Sequence, residues 1–432
     1  YGTEDGKTIT LHFWGGVQPE YGYDDLCANF NEEYKDKGLQ VEYVRYVNDD
    51  NGNLQLETYL MGGGDVDLFI GGRTKMDKRV DSNLLLDMSG MLNDIGFNLD
   101  DELGVANMAE YHYDDGAVYG FPTKYENSRW ILINEDMFKE AGLDIPYDGW
   151  TYSEFLADAE KLTHGEGQDK VYGVCWARKQ SGKSILYALD GVLGANQIYK
   201  NEEGTEVNFD NDVYRAGLNL VKETLDKGYA IPIEDEFSED ISVANTFLQG
   251  KCAIMLGVAQ MRLCMDQENY PHDFMTALVP APVPDDEKYN TEFYRKQIGT
   301  TGAGDLLSIS ANTKYPEASF EFAMWYLKGG MSPLVQGGRI PLWNGVNKDE
   351  VLSVLKEKAQ GSIDMDSMEN YLSLDTTQGV AAIKGNASSE ISSAWFEEFD
   401  AMCYGKQSVD QTVQNMEKRG NELIQTELSS QK

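Results

Sequence analysis

The hydrophobic positions of the first seventy residues change their period several times. Apolar and polar residues alternate over 9–13 and again over 39–43, which is the pattern of half-buried strands. Helical periodicity covers 23–35 and 54–61, each followed closely by glycine, and a short apolar run fills 66–70. This β-α-β-α-β order predicts an α/β fold with a mostly parallel sheet and helices on both of its faces.

Helix-start signals continue further along the chain. Thr151 and Glu154 have the spacing of a capping box, in which each residue bonds the other's backbone N–H, and Ser408 and Gln411 have it again. Trp150 directly precedes the first box and is predicted to staple the helix start by hydrophobic contact. The chain is therefore expected to remain rich in helices up to its C-terminus.

Length and charge narrow the class of protein. The 432 residues exceed the roughly 250–300 at which a single core stops growing, so two lobes are expected. The 73 acidic residues outnumber the 36 basic ones, and a net charge of -37 argues against a nucleic-acid partner. No stretch approaches the ~20 apolar residues of a membrane span. No signal peptide precedes Tyr1, so an exported protein would begin here after processing or without its leader.

Residues suited to metal binding or catalysis do not form recognisable patterns. The five cysteines lack the paired spacings of a zinc site and are predicted to be core thiols, and the four histidines lack the spacing that puts two ligands on one helical face. With 73 acidic residues, neighbouring carboxylates arise without function. We therefore expect no metal site, no cofactor and no catalytic residue.

Three of the seven tryptophans stand where predicted strands end, namely Trp14, Trp176 and Trp343. Ligands of open α/β sheets bind beyond the carboxyl ends of the strands, and a flat indole covers the apolar face of a pyranose while polar side chains bond its hydroxyls. The position of these rings predicts a carbohydrate cleft, with core packing as the alternative. Packing roles are predicted for the other four: Trp130, Trp150, Trp325 and Trp395.

Several motifs appear in a fixed order. They are DGAVYGFP at 115–122, ILINEDMFKEAGL at 131–143, FLQGKCAIM at 247–255, LVPAP at 278–282, ISANTK at 309–314 and GKQSVD at 405–410. In this order they resemble the maltose-binding-protein-like family (family 1) of extracellular solute-binding proteins of ABC sugar importers. The resemblance covers nearly the whole chain, although Ile133 stands where a tyrosine is usual.

The resemblance implies a two-lobed periplasmic-binding-protein-like α/β fold with discontinuous lobes, a hinge and a central ligand cleft. Residues 1–119 with 278–325 would form the N-terminal lobe, and 120–277 with 326–432 the C-terminal lobe. It also implies a monomer that captures an oligosaccharide without chemistry and delivers it to the membrane permease subunits of an ABC transporter. The expected location is extracellular, as a cell-surface lipoprotein or in the periplasm.

The resemblance also assigns ligand contacts by position. Gln260 stands close to where the family often has a tryptophan, so one stacking ring of the family is either missing here or supplied by Trp343. The complete set of expected ligand-binding residues is Trp14, Gly15, Gly16, Gly72, Arg73, Glu126, Asn127, Trp176, Arg178, Gln260 and Trp343.

Two other functions remain as alternatives. A polyamine or other small solute bound by the same fold would suit the acidic composition, but it would need carboxylates converging in the cleft. A carbohydrate-active hydrolase would need two carboxylates roughly 5–9.5 Å apart. The expected cleft loops offer glycines, tryptophans and Arg73 instead, which favours sugar binding.

Overall fold

The computed structural model describes residues 6–47, 54–127, 129–181, 198–298, 302–359, 361–373, 383 and 385–430. It divides into two compact units, each built from two stretches of chain. Unit 1 comprises Tyr1–Glu126 and Gly302–Leu355, and unit 2 comprises Asn127–Thr301 and Lys356–Lys432.

The described secondary structure contains both strands and helices, and only helices follow the last strand. The strands are β1 Ile9–Gly15, β2 Leu39–Arg45, β3 Leu68–Gly71, β4 Phe121–Tyr125, β5 Trp130–Asn134, β6 Tyr172–Cys175, β7 Cys252–Leu256, β8 Thr276–Pro280, β9 Ala303–Ile309 and β10 Ile340–Pro341. The α-helices are Tyr23–Tyr34, Leu54–Met61, Met76–Asp81, Ser89–Asp94, Leu99–Leu103, Val105–Met108, Glu135–Glu140, Tyr152–Leu162, Arg178–Ser181, Asp212–Asp226, Ile233–Ser238, Met261–Met265, Glu292–Arg295, Pro316–Trp325, Lys348–Lys358, Met365–Leu372, Ser388–Cys403 and Val409–Ser430.

Unit 1 contains a six-stranded mixed sheet in the order β10-β4-β9-β3-β1-β2. The predicted β-α-β-α-β start is confirmed, because β1 pairs in parallel with both β2 and β3. The expectation of a mostly parallel sheet is wrong. β9 lies antiparallel between β3 and β4, and β10 lies antiparallel to β4. These strands come from residues far from the first seventy, so the local pattern that revealed β1 to β3 did not include them.

Unit 2 contains a four-stranded sheet in the order β6-β7-β5-β8. Only β6 and β7 run in parallel, whereas β5 is antiparallel to both β7 and β8. All four strands are almost wholly buried, which fits their continuous apolar runs better than an alternating pattern would.

The boundaries between the two units fall later in the chain than the lobe boundaries expected near 119, 278 and 325. The chain crosses after Glu126, between 301 and 302, and after Leu355. The difference has a structural reason. β4 continues the sheet of unit 1 after residue 119, and β8 belongs to the sheet of unit 2 up to Pro280.

The predicted helix caps are present. Thr151 and Glu154 exchange both hydrogen bonds of a capping box, and Trp150 packs its ring edge-on against Phe155 at 5.0 Å between centroids. The Ser408 hydroxyl accepts the N–H of Gln411, whose side-chain oxygen accepts the N–H of Ser408. Within the described residues, no helix is both long and apolar enough to span a membrane.

Candidate functional site

The expected contacts of unit 1 lie largely at one edge of its sheet. β1 and β3 are parallel, and β9 is antiparallel to both β3 and β4, so β4 runs in the same direction as β3. The three strands therefore end at the same edge, which we call the carboxyl edge. The structure brings together here the residues that follow or end these strands: Trp14, Gly15, Gly16, Gly72, Arg73 and Glu126.

Trp14 is enclosed by its own unit. Its side chain is only 4% exposed, and the indole Nε1–H donates to the backbone oxygen of Asp65 at 2.8 Å. The ring packs at 4.8 Å, tilted by 46°, against Tyr59, whose side chain is 44% exposed. The exposed ring beside Trp14 is therefore that of Tyr59, which lies next to Gly64, ahead of β3.

The glycines after Trp14 allow a close approach by Tyr43. A Cβ atom on Gly15 would stand 2.5 Å from the Tyr43 hydroxyl, a distance that no side chain tolerates. That hydroxyl donates to the backbone oxygen of Val17 at 2.7 Å and accepts the Val17 N–H at 3.2 Å. The loop at 15–17 is thus fixed by Tyr43. Gly72 is exposed and begins the turn Arg73–Lys75.

Arg73 projects from that turn and is partly exposed. Its Nη1 donates to Asp77 Oδ2 at 3.0 Å, and the guanidinium faces the ring of Tyr111 at 5.9 Å. Burial lowers the pKa of Arg73, but the charges of Asp77 and Glu110 outweigh this effect and raise the pKa overall. Arg73 therefore remains a fixed cation at the carboxyl edge.

Glu126 belongs to a group of charged side chains that we call the edge charge cluster, consisting of Lys124, Glu126, Asp305 and Arg339. Lys124 pairs with Glu126 and lies 4.0 Å from Asp305, whose other oxygen accepts from Arg339 Nε at 2.6 Å. Arg339 precedes β10, which places Ile340 opposite Tyr125 and hence Arg339 at the carboxyl edge.

The sequence reasoning missed three members of the cluster: Lys124, Asp305 and Arg339. Lys124 and Asp305 interrupt apolar strands, and a charged residue in such a strand is rarely buried without a partner. This signal was available in the sequence, but the pairing of the charges depended on the antiparallel strands β9 and β10.

Trp343 does not lie beyond the carboxyl edge. β10 is antiparallel to β4, so the chain after it runs back along β4, and Leu342 N–H donates to Thr123 oxygen at 2.9 Å. The partly exposed Trp343 instead donates its Nε1–H to Glu102 Oε2 at 2.6 Å. A parallel strand would have placed Trp343 beyond the carboxyl edge, whereas β10 is antiparallel to β4 and places it toward the opposite end of the sheet.

Trp176 occupies the core of unit 2. Its side chain is 1% exposed, its Nε1–H donates to Thr224 Oγ1 at 2.9 Å, and its ring lies 5.7 Å from that of Phe155. Phe155 and Thr224 belong to two different helices, Tyr152–Leu162 and Asp212–Asp226, so the indole is held by both. The structure thus favours the core-packing alternative for this residue, although its role as a ligand contact stays a prediction.

The side chain of Arg178 contacts an aspartate and two phenylalanine rings. Its Nε and Nη2 donate to the two oxygens of Asp400, each at 2.7 Å. Its guanidinium carbon lies 4.2 Å from the ring centre of Phe396 and 5.4 Å from that of Phe237. The bidentate pair fixes the plane of the guanidinium, and the two rings cover it.

Glu236 holds the backbone beside Arg178. Its side chain is fully buried, and its Oε2 accepts the Lys179 N–H at 3.3 Å. Ala177, in the left-handed region at φ +51°, turns the chain here. Burial raises the pKa of Glu236 to about 7, although hydrogen bonds from the backbone N–H groups of 177–179 act in the opposite direction.

Two further expected contacts belong to unit 2. Asn127 is buried, its N–H donates to the Tyr371 hydroxyl at 2.9 Å, and its Oδ1 accepts the Arg129 N–H at 3.0 Å. Gln260 is half-buried at the end of the turn Val258–Gln260, which follows β7. Within the described residues, no three His, Cys, Asp or Glu side chains form a metal-binding group.

Comparison with known proteins shows which family and which solved structures this chain resembles. Residues 16–328 match the model of the family described as bacterial extracellular solute-binding protein. An ABC substrate-binding protein from Listeria monocytogenes, in complex with cycloalternan, superposes with a TM-score of 0.71 at 16% identity over 96% of this chain and 98% of that one.

Two further solved structures are similar. The GacH receptor of Streptomyces glaucescens, unliganded and in complex with acarbose, has a TM-score of 0.70 at 17% identity, covering 97% of this chain and 99% of that one. The sugar-binding protein MalE of Xanthomonas citri has a TM-score of 0.66 at 16% identity, covering 97% and 98%. These likenesses show a shared fold, and because the family model spans more than half of its length, the chain belongs to the bacterial extracellular solute-binding proteins.

Proposed function

We propose that this protein binds an oligosaccharide and delivers it to the permease subunits of an ABC transporter. The observation that carries the proposal is the match of its fold, over almost the full chain, to solute-binding proteins whose structures contain cycloalternan or acarbose. The chain's own residues support it, because Arg73 and Glu126 provide a fixed cation and a carboxylate at the carboxyl edge. Such polar groups can donate to and accept from the hydroxyl rim of a sugar.

The same proposal includes the mode of action. Units 1 and 2 would be the two lobes, each contributing residues to sugar binding, and hinge closure would follow because the closed state binds the sugar better. The protein would act as a monomer without cleaving its ligand. It would work outside the cytoplasmic membrane, either lipid-anchored or in the periplasm.

The edge charge cluster favours a sugar over a polyamine. A polyamine needs carboxylates whose charge is not already compensated, whereas Asp305 is paired with Arg339 and Glu126 with Lys124. Paired charges retain hydrogen-bonding capacity for hydroxyl groups but offer little net attraction to a polycation.

A thermal-shift screen tests the function directly. The panel consists of maltotriose, mannotriose, cellotriose, xylotriose and acarbose, with spermidine as the polycation. A sugar at a hundred times its Kd stabilises the native state by about 2.7 kcal/mol and must raise the melting temperature. We expect at least one oligosaccharide to do so and to be recovered intact by mass spectrometry.

Three results would contradict the proposal. A shift with spermidine alone would favour the polyamine alternative. Cleavage that scales with protein concentration would favour the hydrolase. No shift with any sugar of the panel, confirmed by calorimetry, would contradict the proposed oligosaccharide binding.

A further inference from the structure

One aromatic ring in unit 2 is exposed instead of packing into the core of that unit. Among the described residues of unit 2, Phe237 is the only large hydrophobic side chain that is exposed, at 43%. An exposed phenylalanine forgoes the ~2 kcal/mol that its burial would contribute, so a single one in an otherwise well-buried unit is informative. By contrast, the ring of Trp176, which the sequence placed at a ligand contact, is covered by two helices.

Phe237 is part of an ordered layer of planar groups. We call Phe237, Arg178 and Phe396 the aromatic layer, because the guanidinium carbon lies over both rings, 5.4 and 4.2 Å from their centres. Asp400 holds Arg178 through Nε and Nη2, which leaves Nη1 outside that pair. The fixed guanidinium of Arg178 thus packs over the ring of Phe237, and the part of the ring that Arg178 does not cover remains exposed.

Glu236 connects two of the three segments that carry the layer, those of Phe237 and Arg178. This residue precedes Phe237 on the helix Ile233–Ser238, and its buried carboxylate bonds the Lys179 N–H directly after Arg178. The left-handed turn at Ala177 presents the backbone N–H groups to that carboxylate. Phe237 and Arg178 are therefore held in place before any ligand arrives, and a preorganised surface loses little conformational entropy on binding.

The chemistry of the layer matches a sugar ring. A phenylalanine face covers the C–H groups of a pyranose, and the adjacent Arg178 and Asp400 donate and accept at its hydroxyl rim. We propose that Phe237, backed by Arg178, is the sugar-stacking residue of unit 2, with Glu236 as its positioning residue. This inference rests on the proposed oligosaccharide binding and names the platform for it.

The test measures affinity by calorimetry with whichever sugar of the panel binds the wild type most tightly. Phe237→Ala should weaken binding about ten- to a hundred-fold, because stacking on one ring contributes on that scale. Phe237→Trp restores a ring and should remain within about threefold of the wild type. The melting temperature of the sugar-free Phe237→Ala protein should stay close to that of the wild type, since the ring is largely exposed.

Phe293→Ala is the matched control, because it removes a partly exposed phenylalanine from the same unit. Its affinity should be unchanged. Wild-type affinity in Phe237→Ala, or equal losses in Phe237→Ala and Phe293→Ala, would overturn the platform while leaving sugar binding intact. If the wild type binds no panel sugar at all, the proposed function fails and this inference fails with it.

Discussion

At the scale of single residues, the position of an aromatic in the sequence did not reveal which way its ring turns. Trp14 and Trp176 end strands as expected, yet both rings are buried in their own units. For Trp176 the deciding contacts come from Phe155 and Thr224, on helices that lie before and after it in the chain. The position of a residue at the end of a strand does not determine the contacts that only the tertiary arrangement creates.

The burial of Trp176 predicts a large loss of stability on truncation. Trp176→Ala removes a fully enclosed ring and leaves the Thr224 hydroxyl without its indole donor, so the free energy of unfolding should fall by about 3–5 kcal/mol. Urea denaturation followed by circular dichroism measures this change.

Trp343→Ala provides the comparison, because Trp343 is partly exposed and should cost clearly less. Should Trp176→Ala keep wild-type stability but lose sugar affinity, Trp176 would be a ligand contact as the sequence suggested. Phe237 would then no longer be needed as the platform of unit 2.

At the scale of secondary structure, the elements that depend on neighbours in sequence were predicted well. The capping boxes at Thr151 and Ser408 connect residues three positions apart, and the strands and helices of the first seventy residues follow their hydrophobic periods. What the sequence did not indicate was the insertion of β9 between β3 and β4. That insertion determines both the mixed sheet and the edge charge cluster.

The contact between the helix Ile233–Ser238 and the backbone at 177–179 predicts a pH effect. Burial raises the pKa of Glu236 to about 7, so the folded protein retains a proton at pH values where the unfolded chain has lost it. The fold is therefore penalised as pH rises through this window, and below it the penalty disappears. Glu236→Gln avoids the buried charge and should gain stability over the wild type between pH 5 and pH 8, by on the order of 3 kcal/mol.

Neighbouring groups do not obscure this measurement. The contact with Cys252 and burial raise the pKa of Cys175, and burial raises the pKa of Cys403, so both thiols stay neutral over this range. Urea denaturation at pH 5, 6.5 and 8 gives the three differences, with the exposed Glu234→Gln on the same helix as the control. A stability difference independent of pH would show that Glu236 is ionised throughout.

At the scale of the whole molecule, the excess of acidic residues opposes folding through mutual repulsion. The net charge is -37, and salt shortens the range of such repulsion from about 30 Å at 0.01 M to about 10 Å at 0.1 M. We expect the melting temperature to rise by several degrees between 10 and 300 mM NaCl. Choline chloride at equal ionic strength should act alike because screening does not depend on the cation, whereas an effect of sodium alone would indicate a specific ion site.

The order of strands also has a consequence for synthesis on the ribosome. The sheet of unit 1 begins with the first strand of the chain, but its central strand β9 is made only at 303–309. The four described strands of the unit 2 sheet lie between 130 and 280 and are synthesised before it. Since the sheet of unit 1 cannot be completed before its middle strand exists, the sheet of unit 2 can be completed first, and β3 must wait for a partner made more than two hundred residues later.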